Sequence, residues 1–234
     1  MKSVLVTRPA GRADELVWQL ETRGYRAVAV PMVTTRPLPV DWPDLFAYDW
    51  IVVTSAAGVD AMPSVRTRAR WAAVGEASAS ALRSRGAEPD FVPATTSGAA
   101  LGSTLPDPRG AKVLFVRGTL ADPVLGATLR VRGALVDEVT CYESIEGPSS
   151  SEAALRAAIE EGLDAVIFAS GSAARGYVRL GGTLDLPAVT IGPRTTAAAR
   201  AAGFNFVFEA ARQDVAELVA AVERGVGVKL RRDA

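Results

Sequence analysis

Short runs of apolar, mostly β-branched residues alternate along the chain with longer stretches rich in Ala, Leu and Arg. Apolar residues recur every three or four positions in the longer stretches, which is typical of amphipathic helices, whereas the short runs are typical of buried strands. One predicted helix follows a capping Asp214 and has an apolar face formed by Val215, Leu218, Val219 and Val222. Strands that alternate with helices indicate βαβ units, so the sequence predicts an α/β fold with parallel sheet.

The chain also contains an internal repeat of strands, helices and glycines. Ile51–Ser55 and Val166–Ser170 are similar strands, and a predicted helix follows each. Ala73–Gly75 and Thr190–Gly192 are the next strands of the two copies. Each copy continues through another helix to a short predicted strand, Asp90–Val92 in the first copy and Phe204–Phe208 in the second. Such self-similarity predicts two lobes of the same architecture.

The second copy lacks one strand that the first copy has. The first copy closes with Val113–Gly118, and the matching segment for the second copy is Val4–Pro9 at the N-terminus. We therefore expect two doubly wound, flavodoxin-like parallel-sheet domains, with the N-terminal strand completing the C-terminal domain. Their expected bounds are residues 1–37 with 144–234 for the first domain and 38–143 for the inserted second domain.

Two chain crossings must connect such domains. The candidates are Thr34–Pro39 and Tyr142–Pro148, which both contain proline and so favour extended backbone. Two crossings side by side form a two-stranded linker and a hinge, and we expect a ligand cleft between the lobes. Ligands of doubly wound sheets bind at the carboxyl ends of the strands, so the residues that follow each strand are the candidate site.

Those residues are small, hydroxylic or glycine, and most stand where a predicted helix begins. Free amide groups and the positive end of the helix dipole suit a ligand with several anionic groups. Helix capping alone would also select Ser and Thr there, and both interpretations stay open for any single residue. The segments are Thr7–Pro9, Thr54–Ser55, Gly75–Ser78, Arg117–Gly118, Ser170–Ser172 and Gly192–Thr196.

Composition narrows the function further. Lys and Arg together number 26, as do Asp and Glu, and zero net charge is not typical of a nucleic-acid coat or a membrane-surface binder. The single cysteine, Cys141, allows no intrachain disulfide, and the N-terminus does not resemble a signal peptide. We expect a cytoplasmic protein that acts on a small molecule, most simply as a monomer, without nucleic-acid or membrane partners.

The chain has no histidine, which excludes Ser-His-Asp triads, Cys-His pairs and histidine-based metal sites. The GxGxxG and GxSxG motifs are absent, and Gly171–Gly176 has Walker-loop glycine spacing but Tyr177 where lysine is required. We therefore expect neither a metal nor a bound cofactor. A general acid or base must come from Asp, Glu, Tyr, Lys or Cys.

Tyr142 is the candidate proton donor, because a phenol at a hinge can donate a proton, although packing on a linker would equally explain it. Cys141 is interpreted as a small buried hydrophobic residue whose side chain points to the opposite strand face from Tyr142. The tail Lys229–Arg232 is interpreted as a solvated end.

Several segments, in this order along nearly the whole chain, resemble the uroporphyrinogen-III synthase family. The combination of the GPRTTA segment, the tyrosine that ends the strand and the wrapped topology carries the resemblance more than any single motif. The segments are VLVTRP (4–9), VVTSAAGV (52–59), AVGEASASAL (73–82), VLFVRG (113–118), GALVDEVTCYES (133–144), AVIFASGSAAR (165–175), IGPRTTAAA (191–199) and DVAELVAAV (214–222).

The resemblance implies a cofactor-free lyase of porphyrin biosynthesis. It would cyclise hydroxymethylbilane, a linear tetrapyrrole with eight carboxylates, into uroporphyrinogen III with inversion of ring D and loss of water. The family's proposed proton donor falls on Tyr142. Its substrate-binding positions fall on or near Thr7, Arg8, Ser55, Gly75, Ser78, Arg117, Ser170, Ser172, Thr195 and Thr196.

One departure from the family pattern leaves an alternative open. Ala56 and Ala57 stand where the family often has Asn or Arg, so a carboxylate contact is weakened or the chain is a non-catalytic, synthase-like sensing or regulatory module. A different cofactor-free isomerase or lyase with the same double α/β plan is the second alternative.

Overall fold

The computed structural model describes residues 1–9, 11 and 13–226, and the tail Lys229–Arg232 lies outside the described residues. The strands are β1 Ser3–Val6, β2 Arg26–Ala29, β3 Val33–Pro37, β4 Trp50–Val53, β5 Arg70–Ala73, β6 Lys112–Gly118, β7 Leu135–Glu146, β8 Ala165–Phe168, β9 Ala188–Thr190 and β10 Val207–Glu209. The helices are α1 Asp14–Glu21, α2 Ala56–Ala61, α3 Glu76–Ser84, α4 Gly98–Thr104, α5 Val124–Val131, α6 Glu152–Glu161, α7 Gly171–Arg179, α8 Pro193–Ala201 and α9 Val215–Val226. Two short 3₁₀ helices span Leu45–Ala47 and Ser149–Ser151.

The chain divides into two compact units, Met1–Thr34 with Ile145–Ala234 and Thr35–Ser144. The chain passes from one unit to the other within β3 and again within β7. These strands are neighbours in a sheet, and the Leu38 amide donates to the Cys141 carbonyl (3.0 Å). Pairing explains why β7 is longer than expected, since it continues five residues past Cys141, to Glu146.

The first unit is built on a five-stranded sheet in the order β10-β9-β8-β1-β2. The N-terminal strand β1 lies between β8 and β2, in parallel register with both, so that Leu5 faces Val166 on one side and Val28 on the other. Side chains of β1 alternate between two cores: Leu5 packs with the α6, α7 and α8 side, whereas Val4 and Val6 pack with α1 and α9. Burial on both faces explains the continuous apolar strands.

The second unit has a sheet in the order β3-β7-β6-β4-β5. Its two cores lie on opposite faces: Ile51 and Val53 pack with α2 and α3, and Val52 and Phe115 pack with α4 and α5. Asp90–Val92, expected as a strand, contributes only an isolated parallel bridge between Phe91 and Ala72.

The prediction of an α/β fold with parallel sheets is confirmed, but the flavodoxin-like strand order is wrong. A flavodoxin-like sheet has the order 2-1-3-4-5. If β4 is numbered as strand 1 of the second unit and the Phe91 bridge as strand 3, the strands lie side by side in the order 3-2-1-4-5. The first unit has the same order when β8 is numbered as strand 1. The reason lies in α4, whose Leu101, with Leu105 just after the helix, packs in the core beneath β4, β5 and β6. The chain therefore crosses two strands and pairs β6 with the free side of β4.

The helix predicted after Asp214 is confirmed. The Asp214 carboxylate accepts a hydrogen bond from the Glu217 amide (2.9 Å), which caps α9. That bond is the main cause of the lowered pKa of Asp214. Leu218, Val219 and Val222 lie fully buried in the core beneath the first sheet.

Candidate active site

Each sheet has a topological switch point, where consecutive crossovers run in opposite directions. It lies between β8 and β1 in the first unit and between β4 and β6 in the second. Ligands of open parallel sheets bind outside the carboxyl ends of strands at such points. Thr7 and Ser170 follow the switch-point strands of the first unit, and Ser55 and Gly118 stand at the corresponding ends in the second. We call these carboxyl edges, with the helix starts beside them, the first rim and the second rim.

Tyr142 lies on the second rim, opposite Gly118 in the β6–β7 ladder. The register shifts at this point, since Arg117 pairs with Thr140 and Gly118 with Tyr142, so Cys141 is the extra residue of a β-bulge. The bulge interrupts the alternation of side chains, and Cys141 and Tyr142 join the same core. The expectation that Cys141 points to the opposite face is therefore wrong.

Two glycines form a slot for the Tyr142 ring. A Cβ atom at Gly118 would lie 2.4 Å from ring carbons of Tyr142, far inside contact distance. A Cβ atom at Gly58 would lie 3.7 Å from the Tyr142 Cε1 atom. The side chain is 9% exposed, so the ring is held in place rather than displayed on the surface.

Ser55 fixes the end of that ring. Its backbone is extended (φ −157°, ψ 154°), and its Oγ atom accepts from the Gly58 amide (2.9 Å), which caps α2. The same Oγ lies 2.8 Å from the Tyr142 hydroxyl. The structure thus brings together two residues that the sequence singled out separately.

A cavity of about 250 Å³ opens beside Tyr142 within the second unit. Leu120, which is 56% exposed, lies on its wall. The Asp122 carboxylate, also on the wall, accepts from the Val124 amide (2.9 Å) at the start of α5. The remaining lining residues are Thr54, Val74, Gly98, Phe115, Ala121, Leu125 and Ser144.

Arg117 directs its guanidinium into the protein. It donates to the Glu138 carboxylate (2.5 Å) and to the Ala121 carbonyl (2.6 Å), and Arg130 makes a second ion pair with Glu138 (2.9 Å). Burial raises the pKa of Glu138, but the hydrogen bonds from Arg117 and Arg130 outweigh it, and the net pKa is lowered. Arg117 therefore braces β6, β7 and the loop that lines the cavity, and its direct contact with a substrate stays a prediction.

Gly75 and Ser78 occupy the start of α3 on the second rim. Gly75 is extended and precedes the helix, and a Cβ atom there would lie 2.6 Å from Thr96 Cγ2. Ser78 is 2% exposed, and its amide donates to the Gly75 carbonyl (3.1 Å). Gly75 therefore stands at the start of α3, whereas the Ser78 side chain is buried within the second unit.

Thr7, Ser170 and Ser172 form hydroxyl contacts on the first rim. Thr7 donates to the Ile167 carbonyl (2.6 Å), which ties β1 to β8 at the switch point. Ser170 caps α7 by accepting from the Ala173 amide (3.2 Å), and its Oγ lies 2.9 Å from Ser172 Oγ. Arg8, which follows Thr7, is half-buried.

Thr195 and Thr196 lie in the first turn of α8 and are both buried. The Thr196 hydroxyl donates to the Glu209 carboxylate (2.5 Å) and therefore accepts from Thr190 (2.6 Å). Its single proton is already used inside the protein. The amides of both threonines donate to the Gly192 carbonyl (3.0 Å each), so a substrate contact through either side chain stays a prediction.

Sequence reasoning did not predict that Gly58 and Gly118 lie against the Tyr142 ring. The available signal was the glycine that ends VLFVRG in a chain with an aromatic residue in the next strand.

Burial raises the pKa of the Cys141 thiol to about 11, which leaves no nucleophilic thiolate at neutral pH. Among the described residues no group of three or more acidic or cysteine side chains could hold a metal ion.

A family model described as uroporphyrinogen-III synthase HemD matches residues 14–220 of this chain. The chain is 27% identical over 197 residues to a uroporphyrinogen-III synthase of Synechococcus elongatus, covering 76% of this chain and 74% of that protein. It is 28% identical over 204 residues to a uroporphyrinogen-III synthase of Chlorobaculum parvum, covering 80% and 82%.

Two solved structures share the fold. The crystal structure of uroporphyrinogen-III synthetase from Helicobacter pylori matches with a TM-score of 0.68 at 15% identity, over 96% of this chain and 99% of that one. A mutant uroporphyrinogen III synthase from Thermus thermophilus matches with a TM-score of 0.63 at 19% identity, over 97% and 99%. In the part of the chain that the structure describes, no helix combines the length and apolar character needed to cross a bilayer.

Proposed function

We propose that this chain, which belongs to the uroporphyrinogen-III synthase family, closes hydroxymethylbilane into uroporphyrinogen III with inversion of ring D and loss of water. The observation that carries the proposal is the family match over residues 14–220 together with Tyr142, held by Ser55 at the carboxyl edge of a parallel sheet. The reaction makes the chain a cyclising hydro-lyase that needs no cofactor.

The two units are proposed to act as two doubly wound domains joined by a two-stranded linker. Each unit has its own parallel sheet with an apolar core on both faces. The chain leaves one unit and returns to it through β3 and β7.

The eight carboxylates of the substrate are proposed to bind at helix starts on both rims. The helices α3, α7 and α8 are each nine residues long, and each begins directly after a strand end. The first amides of α3 and α7 have no partner within the helix, and the helix dipole favours an anion there. The first residue of α8 is Pro193, which has no amide proton, so α8 offers the Arg194 amide and its dipole. Thr96 and Gln213 fill the space where a Cβ atom of Gly75 or Gly192 would lie, so a carboxylate must approach these glycines from another direction.

Tyr142 is proposed to donate its proton to the hydroxyl that leaves ring A. The carbon–oxygen bond breaks, the oxygen departs as water with the phenol proton, and the lone pair of the pyrrole nitrogen fills the vacancy as an azafulvene cation. Ring D attacks this carbon through its substituted position and gives a spiro intermediate, which fragments and closes again in the inverted sense. Closure releases one proton, which returns to the phenolate.

Orientation supplies most of the remaining rate enhancement. Hydroxymethylbilane cyclises unaided to isomer I, so the protein must favour attack by the substituted carbon of ring D over the unsubstituted one. Held geometry of reacting groups is worth about 7–11 kcal/mol in favourable cases. Both rims contribute contacts to that geometry in this proposal.

The test is to add the purified protein to freshly generated hydroxymethylbilane and to separate the uroporphyrinogen isomers. Isomer III, formed faster than the unaided reaction, is the expected product. Isomer I alone at the uncatalysed rate would eliminate the proposal and leave the non-catalytic, ligand-sensing module suggested by Ala56 and Ala57 as the better interpretation.

A further inference from the structure

We propose that Ser55 is a positioning residue that donates its hydroxyl proton to the Tyr142 oxygen and so directs the phenol proton toward the substrate. This inference rests on the proposed function and deepens it. In this proposal Ser55 acts on the proton donor Tyr142, whereas the family resemblance places Ser55 among the substrate contacts.

The hydrogen bonds of Ser55 permit this direction of donation. A serine hydroxyl offers one proton and two lone pairs. The Gly58 amide can only donate, so it occupies a lone pair of Ser55 Oγ at 2.9 Å. The remaining hydroxyl proton of Ser55 is available to Tyr142 Oη at 2.8 Å. When Ser55 donates, the Tyr142 proton is left for another acceptor.

The two glycines limit where the Tyr142 ring can lie. A ring displaced toward β6 meets Gly118, where even one added carbon would overlap it. On the other side lies Gly58, whose amide belongs to the same capping turn as Ser55. The ring is therefore held close against Gly118, and the bond with Ser55 sets the direction of the hydroxyl proton rather than the position of the oxygen.

The donated bond also serves the chemical step. Tyr142 loses its proton to the departing hydroxyl as the carbon–oxygen bond breaks, which leaves a phenolate. A hydrogen bond to an ionised oxygen is roughly twice as strong as one between neutral groups, so the Ser55 bond strengthens as charge develops. The phenolate recovers a proton at ring closure, and the Ser55 proton stays on Ser55 throughout.

The test is a double-mutant cycle of Ser55→Ala and Tyr142→Phe with kcat, KM and isomer ratio as readouts. We expect Ser55→Ala to lower kcat about threefold to tenfold with KM unchanged, the scale of one hydrogen bond. In the Tyr142→Phe background the same change should have no further effect on kcat, because the oxygen through which Ser55 acts is absent. An equal fall in kcat in both backgrounds, or a change in KM with kcat constant, would overturn the proposal.

Helix capping is the confounding role, and two variants separate it. Ser55→Thr keeps both the cap and the hydroxyl, so kcat should return to near the parent value. Ser97 has nearly the same backbone (φ −158°, ψ 151°) and caps α4 by accepting from the Ala100 amide (3.0 Å). Ser97→Ala should lower stability as much as Ser55→Ala while kcat stays constant. A matching fall in kcat for Ser97→Ala would show that the Ser55 effect is only structural.

The outcome also separates this inference from the proposed function. If the parent protein forms no isomer III, the proposed function fails and this inference fails with it. If the parent is active and the cycle is additive, only the role of Ser55 is lost.

Discussion

The two units share one sheet order and one kind of rim, yet they differ in what the first serine of the rim touches. Ser55 and Ser170 follow equivalent strands, have nearly the same extended backbone and cap the next helix through the amide three residues on. The second hydrogen bond of Ser55 goes to Tyr142, whereas that of Ser170 goes to Ser172 in its own helix.

The comparison shows how a repeated fold can acquire one reactive group. The strand that corresponds to β7 in the first unit is β2, which ends at Ala29 and is followed by the buried Val30. The first rim therefore has hydroxyls and helix starts but no phenol at this position. We infer that both rims bind the substrate and that the second rim adds the proton donor.

The largest effect is expected from Tyr142→Phe. Removal of a general acid costs about 10²–10⁴-fold in rate, so kcat should fall within that range without vanishing, since orientation persists. The matched control is Tyr177→Phe in the first unit, where the buried phenol donates to the Thr183 carbonyl (3.1 Å). That change should lower stability by about 1 kcal/mol and leave kcat unchanged. Full rate and isomer purity in Tyr142→Phe would remove the catalytic difference between the rims.

A smaller effect is expected from Gly118→Ala, which narrows the slot. The new methyl would lie 2.4 Å from the Tyr142 ring, so the ring must shift and its hydrogen bond with Ser55 is disturbed. Such overpacking costs about 1–3 kcal/mol of stability, and we expect kcat to fall about tenfold. Gly102→Ala is the control for stability, because its methyl would overpack the same unit 3.0 Å from Thr128 Cβ without touching Tyr142. Calorimetry and kinetics of both variants check the prediction, and unchanged kcat in Gly118→Ala would contradict it.

Ser170→Ala tests the first rim and should affect binding more than chemistry. The variant loses the cap of α7, worth about 1 kcal/mol, and the contact with Ser172. We expect KM to rise a few-fold while kcat changes little, the reverse of the pattern expected for Ser55→Ala. A fall in kcat with constant KM would mean that the two rims do not divide binding and proton transfer in this way.

Part of this arrangement could be predicted from the sequence. Local apolar patterns located most of the strands, although not β3. The missing strand of the second repeat placed Val4–Val6 beside β8, as the Leu5–Val166 pairing confirms. Tyr142 was identified from the same local pattern, although β7 continues past it to Glu146. Such predictions succeed because they depend on residues that are close together in the chain or on a whole repeated unit.

The rest depends on contacts between distant segments. The slot at Gly118 exists only because a bulge at Cys141 shifts the register of β7, and no local pattern marks that bulge. Arg117 looked like an anion-binding residue, but its ion pair with Glu138 depends on which strand lies beside β6. The strand order itself followed from the packing of α4, which periodicity does not reveal.

The smallest effect concerns Cys141, which has no counterpart in the first unit because it is the only cysteine in the chain. Burial raises the pKa of its thiol from 9.0 to about 11. The protonated form is favoured in the fold, so its contribution to stability is complete below pH 9 and is lost as the pH rises toward 11. The Tm of the parent protein should therefore fall more than the Tm of Cys141→Ala between these pH values. At pH 8 a disulfide reagent should label the folded chain far more slowly than the chain in denaturant, and equal rates would show that the bulge beside Tyr142 exposes the thiol.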